Sequence, residues 1–154
     1  MQIDRDVRPE YFAQLEGLLY GMNYQVWIAL YGPLEAQLSL EQALKKSVSK
    51  DAVVGGSETV ARSVVRSQII ESMFYPGDPG CGPIDLEAKR GEIIALTERI
   101  LCDAHLDDAQ EVTAFWFAKG HPAYPVFWDF AYDIHAQSNR WILLGSSSDC
   151  SRES

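Results

Sequence analysis

The ten residues from 126 to 135 read VFWDFAYDIH, and their alternation predicts a β-strand. Val126, Trp128, Phe130, Tyr132 and Ile134 share one face of that strand. Successive side chains of a strand point to opposite faces, so the other face carries the following residues: Phe127, Asp129, Ala131, Asp133 and His135. A turn at residues 137–139 and a second apolar run over 140–145 predict a returning strand. The aromatic stretch over 112–118 predicts a third strand, so the C-terminal part reads as an antiparallel meander.

The residues before this sheet have helical patterns. Apolar side chains recur at helical spacing from Pro9 onward and predict a helix to about Leu30, ended by Gly32-Pro33, although the run over 25–31 also fits a strand. Ser39 and Gln42 have the spacing of a capping box and predict a second helix. The sequence therefore predicts an α+β fold with about four N-terminal helices packed on a C-terminal three-stranded antiparallel meander.

Two further helix starts follow from capping residues. A loop is predicted over 51–57, where Gly55-Gly56 interrupts the pattern, and Ser57 is the expected cap of a third helix. Asp85 is the expected cap of a fourth helix. Between these helices, residues 76–83 hold three prolines and three glycines, which predicts a long irregular loop.

The length of 154 residues corresponds to one domain. We expect a single globular domain over residues 1–145 with a mobile loop at 76–84. The small polar residues over 146–154 are expected to form a flexible tail.

The net charge of −9, from 22 acidic and 13 basic residues, argues against binding to nucleic acid or to anionic lipid, which both attract Lys and Arg. Three cysteines without a CxxC pair do not form a disulfide framework. The N-terminal residues have no secretory-signal pattern, and no apolar run is long enough to span a bilayer. A cytoplasmic location, without membrane attachment, is the expectation.

The residue types of catalysis occur without a catalytic motif. On one strand, Asp129 and Asp133 would lie roughly 13–14 Å apart, too far for a glycosidase carboxylate pair, whereas Asp133 and His135 are neighbours. That face has three interpretations: a solvated outer face, a partner-binding face, or a catalytic or metal site. The sequence assigns no catalytic residue, no metal ligand and no cofactor.

Two further histidines have acidic or aromatic neighbours in the sequence but no catalytic motif. His105 belongs to a group with Asp103, Asp107 and Asp108 that resembles part of a calcium loop but lacks its glycine and terminal glutamate in register, so a solvated turn is expected. His121 has no accompanying Ser or Cys nucleophile signature, so a surface histidine is expected.

Acidic residues are unevenly distributed along the chain. Between residues 100 and 139 there are six acidic side chains, and Lys119 is the only Lys or Arg. Acidic charge speeds the encounter with a basic partner, and aromatic side chains hold it. The candidate residues for such a partner-binding surface are Asp103, Asp107, Asp108, Glu111, Tyr124, Phe127, Asp129, Asp133 and His135. Trp141 is a further candidate aromatic anchor.

The C-terminal pattern, VFWDFAY at 126–132 followed by RWILLGSSSD at 140–149, resembles the closing hairpin of small acidic immunity proteins from bacterial polymorphic toxin systems. The resemblance covers about a fifth of the chain. It implies a non-enzymatic protein that binds and blocks a cognate toxin. It assigns no contact residues, because these vary with the partner.

Three functions follow as expectations. The first is a non-enzymatic binding domain, of the immunity type, that neutralises a basic toxin through an acidic and aromatic face. The second is an enzyme, hydrolase-like or of another kind, that uses His121 or His135 with a carboxylate. The third is a homo-oligomeric structural or regulatory protein, in which aromatic side chains are buried in a homodimer.

Overall fold

The computed structural model describes residues 9–77, 80–123 and 125–149. These residues form four α-helices and seven β-strands. The helices are α1 (Glu10–Leu19), α2 (Leu40–Ser47), α3 (Arg62–Met73) and α4 (Arg90–Asp103), the last preceded by a 3-10 turn (Glu87–Lys89). The strands are β1 (Gly21–Met22), β2 (Gln25–Glu35), β3 (Val53–Val60), β4 (Gly82–Pro83), β5 (Glu111–Lys119), β6 (Trp128–Ala136) and β7 (Asn139–Ser148).

The main sheet has five strands in the order β2-β7-β6-β5-β3, and every neighbouring pair is antiparallel. The α+β class is confirmed, but the three-stranded meander is wrong. The meander β5-β6-β7 is present as the centre of the sheet, and β2 and β3 extend it on both sides. Two further short strands, β1 and β4, pair with each other, so the end of the loop predicted to be irregular over 76–83 forms a short strand.

The predicted helix from Pro9 to about Leu30 is wrong beyond Leu19. Tyr20 has an extended backbone, and β2 begins at Gln25. In β2, Val26 and Ile28 are buried on one face of the sheet and Ala29 and Tyr31 on the other. Burial on both faces produces a continuous apolar run, which has no strand periodicity to distinguish it from a helix.

The loop predicted over 51–57 is also wrong, because β3 runs from Val53 to Val60. The two glycines in it allow the ring of Trp116 on β5 to lie directly on the strand. A Cβ atom at Gly56 would be 2.1 Å from that ring, and one at Gly55 would be 2.8 Å from it. Glycine in a strand often marks such a close approach.

Of the three predicted helix caps, one is confirmed. The backbone N–H of Gln42 donates to Ser39 Oγ at 3.1 Å, and the Ser39 N–H donates to Gln42 Oε1 at 3.0 Å, which completes the capping box of α2. Ser57 lies within β3, and α3 begins after Ala61. Asp85 precedes the 3-10 turn with a positive φ and does not cap α4.

Helices cover both faces of the sheet. α1, α3 and α4 pack on one face around Phe12, Ile69, Ile100 and the β6 residues Phe130 and Ile134. α2 packs on the other face through Leu44, against Ala131 and Ile142. The solvated outer face expected for β6 is therefore not found at Ala131 and Asp133, which are both buried.

The last strand continues past Gly145, where the returning strand was predicted to end. Ser146 and Ser147 are buried, and Ser148 pairs with Gln25 of β2. The rest of the expected tail, residues 150–154, lies outside the described residues.

Candidate functional site

A cavity of about 320 Å³ opens between the C-terminal half of α3 and the beginning of β6. It lies on the face of the sheet that α1, α3 and α4 cover. We call it the α3–β6 groove. Its lining consists of polar, acidic and aromatic residues: Gln68, Glu71, Ser72, Tyr75, Trp128, Asp129 and Phe130.

The groove lies where the sheet divides. β5 and β6 pair from Glu111↔His135 only as far as Ala114↔Tyr132. Beyond that point, β5 continues against β3 up to Lys119, and β6 remains paired with β7 back to Trp128. Among the described residues, the first four of β6 have no paired residue on the β5 side, and this leaves one side of the groove open.

Aromatic rings form the floor of the groove. The rings of Trp128 and Phe130 are stacked at 5.8 Å with an interplanar angle of 3°, and Phe130 stacks on Tyr132 at the same distance. The indole N–H of Trp128 donates to Tyr24 Oη at 2.8 Å, and the Tyr132 hydroxyl donates to Gln68 Oε1. These hydrogen bonds fix the rings at both ends of the stack, so the floor is preorganised.

Burial controls the protonation of the tyrosines near this floor. Burial raises the pKa of Tyr132 to about 12, and it also raises the pKa of Tyr24. Both hydroxyls are therefore protonated at neutral pH, and Tyr132 remains a hydrogen-bond donor to Gln68.

Phe127 lies at the end of the groove, within a second aromatic group. Its ring is 5.8 Å from that of Tyr75 and 5.5 Å from that of Tyr24, and the two tyrosine rings are 6.1 Å apart. Phe127 is half-buried there, so it supports the wall at Tyr75 more than it offers a free anchor. Tyr124, the other predicted aromatic anchor, lies outside the described residues. Trp141, also considered as an anchor, is buried and stacks with His105.

Negative charge dominates the lining. Glu71 and Asp129 are both exposed, and no Lys or Arg is among the residues that line the groove. In the part of the chain that the structure describes, neither carboxylate takes part in an ion pair with Lys or Arg. The groove therefore combines aromatic surface with the Glu71 carboxylate, whereas the Asp129 side chain leaves β6 on the opposite face from Trp128 and Phe130 and lies near His121.

His121 lies near Asp129, and its ring packs among aromatic side chains. It is edge-on to Phe117 at 4.9 Å and 6.3 Å from Trp27. Its Nδ1 accepts from the Ala123 N–H at 2.9 Å, and its Nε2 is buried without a described partner. Burial lowers the pKa of His121, and the charge of Asp129 partly offsets this effect. The expected surface histidine is thus a half-buried ring.

The other predicted acidic residues lie at the opposite end of β6. Asp103 accepts from the Tyr11 hydroxyl, Asp107 forms an ion pair with Arg66, and Asp108 accepts from Gln137 Nε2 at 2.8 Å. Glu111 is exposed opposite His135. Because Asp129 and His135 are six residues apart on one strand, roughly 20 Å separate the two ends. The structure thus places the predicted acidic surface in two separate regions.

Asp133 and His135 are neighbours, as the alternation predicts, but Arg140 engages both. Arg140 Nε lies 2.9 Å from Asp133 Oδ1 and 3.2 Å from His135 Nε2, and Asp133 Oδ2 is 3.3 Å from the same His135 nitrogen. Arg140 Nη1 also donates to the Leu38 carbonyl at 2.8 Å, next to the start of α2. This cluster joins α2 to the sheet. Its acid and histidine are occupied by Arg140, so the geometry is that of a structural contact.

A second cavity, of about 450 Å³, lies at the start of α3 and is lined by Ala61, Arg62, Ser63, Arg66 and Asp107. Its charges are already compensated. Arg66 contacts both Glu98 and Asp107, and hydrogen bonding to Glu98 is the main reason why the pKa of Arg66 is raised. Arg62 donates to the Asp107 carbonyl. This cavity has less unsatisfied charge than the α3–β6 groove.

The sequence did not identify the helical wall of the α3–β6 groove. Gln68, Glu71, Ser72 and Tyr75 have the spacing i, i+3, i+4 and i+7, which places them on one side of a helix. The sequence pattern of α3 therefore predicts a polar stripe beside its apolar positions. It does not predict that this stripe faces the opening between β5 and β6, because that opening depends on the position of β3.

The described residues contain no group of three or more His, Cys, Asp or Glu side chains suited to hold a metal ion. No described helix has the length and apolar character needed to cross a membrane. Comparisons with protein-family models, curated proteins and solved structures find no match to this chain. The fold and the site define an α+β domain with an acidic, aromatic groove, and the functional argument depends on that groove.

Proposed function

We propose that this chain is a non-enzymatic protein-binding domain of the immunity type, which binds and neutralises a basic toxin. One observation carries the proposal: the α3–β6 groove has an aromatic floor, and its lining residues include two exposed acidic ones, Glu71 on the helical wall and Asp129 on the open side of β6, and no Lys or Arg. Aromatic side chains in a concave site provide contact area, and carboxylates select a cationic partner.

The distribution of ion pairs supports this choice of partner. Several cations of the protein are engaged internally: Lys46 with Glu35, Arg66 with Glu98 and Asp107, and Arg140 with Asp133. Because the net charge is −9, these pairs leave an excess of exposed acidic side chains. A field of one sign steers an oppositely charged protein and increases its association rate.

The groove would be the centre of a larger contact surface. A stable protein–protein interface buries about 800 Å² on each partner, which is more than one groove offers. Val126 lies two residues before the start of β6, and its exposed side chain adds apolar area at this end of the strand. Asp133 is buried, so the proposed surface does not include it, whereas Asp129 remains within it. The distant residues Asp108 and Glu111 would contribute to long-range attraction.

The test is co-expression with the product of the adjacent open reading frame, followed by affinity capture and a growth-protection assay. We expect capture of a basic protein and protection of the host cell. Glu71→Lys combined with Asp129→Lys should slow association and reduce its dependence on salt. The matched control is Glu58→Lys combined with Glu92→Lys, which makes the same change of charge at exposed positions outside the groove.

Failure to bind or protect against any neighbouring product would refute the immunity proposal. Equal kinetics for the two charge-reversed variants would remove the groove from the interface. A cytoplasmic location and a bacterial toxin as the partner belong to the same proposal. Self-association is the alternative outcome, and light scattering at several protein concentrations would detect it.

A further inference from the structure

We infer that the open edge of β6 receives an extended, basic segment of the partner, which pairs with residues 128–131 as an added strand between Glu71 and Asp129. This inference rests on the proposed function for the identity of the partner, and it deepens that function by naming the contact. Three features support strand addition: the pairing of the sheet, the lining of the α3–β6 groove and the positions of the two carboxylates.

β6 has an unpaired edge within the main sheet. Among the described residues, β5 and β6 pair only as far as Ala114↔Tyr132, so residues 128–131 have no strand paired on that side. Consecutive residues of a strand direct their N–H and C=O groups to alternate sides, so two of these four residues direct them into the opening. Unpaired backbone groups at an edge are a template for pairing with another chain. An extended segment can therefore add to the sheet at this point.

The α3–β6 groove gives access to this edge. Side chains of a strand alternate between its two faces, so a groove confined to one face would be lined by every second residue. Three consecutive residues, Trp128, Asp129 and Phe130, line this groove. The lining therefore includes the edge of β6, where the backbone of the strand can be reached from outside.

The two outer edges of the main sheet are less suited to an added strand. The N–H of Ile28 on β2 donates to Glu16 Oε2 at 2.8 Å, and the N–H of Val54 on β3 donates to Glu41 Oε1 at 3.0 Å. β2 and β3 are the outermost strands, so these N–H groups point away from the sheet. Charged side chains at an edge oppose strand addition. Each outer edge thus has a carboxylate that competes with an added strand for a backbone donor.

The two carboxylates flank the position of the added strand. The side chain of Asp129 leaves β6 on the face opposite to that covered by α3, whereas Glu71 extends from α3 into the groove. Consecutive side chains of an added strand also alternate, so one points to the side of Glu71 and the next to the side of Asp129. Two adjacent Lys or Arg residues therefore match both carboxylates. A basic partner also fits better than a second copy of this chain, whose net charge is −9.

The experiment follows backbone hydrogen exchange by NMR while the ¹⁵N-labelled protein is titrated with a hexapeptide. The peptide is acetyl-Val-Thr-Lys-Lys-Thr-Val-amide, whose adjacent lysines point to opposite sides when it is extended. We expect exchange to slow at two alternating amides among residues 128–131 and to stay unchanged at the outer-edge amides of Ile28 and Val54. The same peptide with N-methyl groups on its four central amides loses those donors, and we expect it to bind at least about tenfold more weakly.

Variants test the contribution of the two charges. Glu71→Gln combined with Asp129→Asn should weaken binding of the unmethylated peptide at least about fivefold, because it removes both charges at nearly constant shape. Glu58→Gln combined with Glu92→Gln is the matched control and should leave binding unchanged. All four side chains are exposed, so the thermal midpoints of both double variants should remain close to that of the unchanged protein.

The outcomes distinguish strand addition from the immunity function. Unchanged exchange over residues 128–131 at millimolar peptide, equal binding of the two peptides, or equal effects of the two double variants would overturn the inference. Protection that appears without peptide as the protein concentration rises would also overturn it, because a second copy would then supply the strand. If a toxin is neutralised but these amides are unprotected in its complex, the function stands and the inference fails. If the peptide adds to β6 but no neighbouring product is neutralised, the inference stands and the immunity function fails.

Discussion

Arg140 donates from Nε to Oδ1 of Asp133 at 2.9 Å, and each of the two side chains is only 5% exposed. The pair lies between the sheet and the start of α2, where Arg140 also binds the Leu38 carbonyl. A buried ion pair is not a large net source of stability, because both charges lose their hydration. Removal of one partner is costly, however, since it leaves the other charge buried and alone.

We therefore expect Arg140→Met to lower the free energy of unfolding by about 3–5 kcal/mol. Equilibrium unfolding in urea measures this change. Lys46→Met is the control, because the Lys46–Glu35 pair is 56% exposed on both sides and should contribute less than about 1 kcal/mol. A loss at Arg140 no larger than that at Lys46 would show that Asp133 is not held as a buried charge.

The double variant Asp133→Leu with Arg140→Met tests whether the charge left unpaired in Arg140→Met is the cause of its lower stability. It removes both charges together and leaves apolar side chains of similar size. We expect it to be markedly more stable than Arg140→Met alone, since apolar replacement of a whole buried pair is often neutral or stabilising. A double variant as unstable as the single one would indicate that the lost hydrogen bonds to α2, and not the unpaired charge, cause the damage.

The capping box of α2 predicts a smaller effect. Ser39→Ala removes the acceptor for the Gln42 N–H and should cost about 1 kcal/mol of unfolding free energy. Ser63→Ala, at an exposed position in the first turn of α3, is the matched control and should change stability by less than about 0.5 kcal/mol. Thermal or urea unfolding of both variants distinguishes the cap from a general effect of losing a hydroxyl. Equal losses would contradict the capping role.

Local signals in the sequence were sufficient for some elements. The alternation over 126–135 located β6, and the Ser39–Gln42 spacing located the start of α2, because a strand face and a helix cap each depend on residues close in sequence. For the edge strands, the sequence left β2 ambiguous between strand and helix over 25–31 and predicted a loop in place of β3, both for physical reasons. β2 is buried on both faces, so its apolar run lacks the strand period, and the glycines of β3 are explained only by the Trp116 ring from another strand.

The candidate site was predictable only in part. Phe127 and Asp129 were identified from the pattern of β6, and both lie in or beside the α3–β6 groove. The site also requires Glu71 and Ser72 from α3 and the division between β5 and β6. Such a division depends on how far two strands remain paired, which no local pattern encodes. The composition of residues 103–111 predicted an acidic cluster, but the distance between that cluster and Asp129 could be determined only from the tertiary structure.

Two glycines give opposite predictions for the same substitution. Gly145 on β7 faces the Phe130 ring, and an added Cβ would lie 2.3 Å from it, so Gly145→Ala should cost about 1–3 kcal/mol through overpacking. Gly17 lies inside α1 with nothing within 4 Å of an added Cβ, so Gly17→Ala should raise stability by about 0.5–1 kcal/mol. Unfolding free energies of the two variants provide the measurement, and a change of the same sign in both would contradict the packing at these two glycines.

His121 predicts how stability depends on pH. Burial holds the pKa of His121 below its ordinary value of 6.5, and the nearby Asp129 carboxylate only partly offsets this. The unfolded chain therefore binds a proton near pH 6.5 that the folded protein does not bind. Stability due to this group is present above pH 6.5 and is lost as the pH falls toward the folded pKa.

The matched variant is His121→Asn, whose side-chain oxygen can still accept from the Ala123 N–H in place of Nδ1. Asparagine does not titrate, so the stability of the unchanged protein relative to this variant should decrease as the pH is lowered from 7.5 to 5.5. The decrease over this range would be at most about 1.4 kcal/mol, because pH 5.5 is only one unit below the unfolded pKa of 6.5. Urea unfolding at the two pH values provides the measurement. A difference that stays constant or grows as the pH falls would show that His121 is not held in its neutral form.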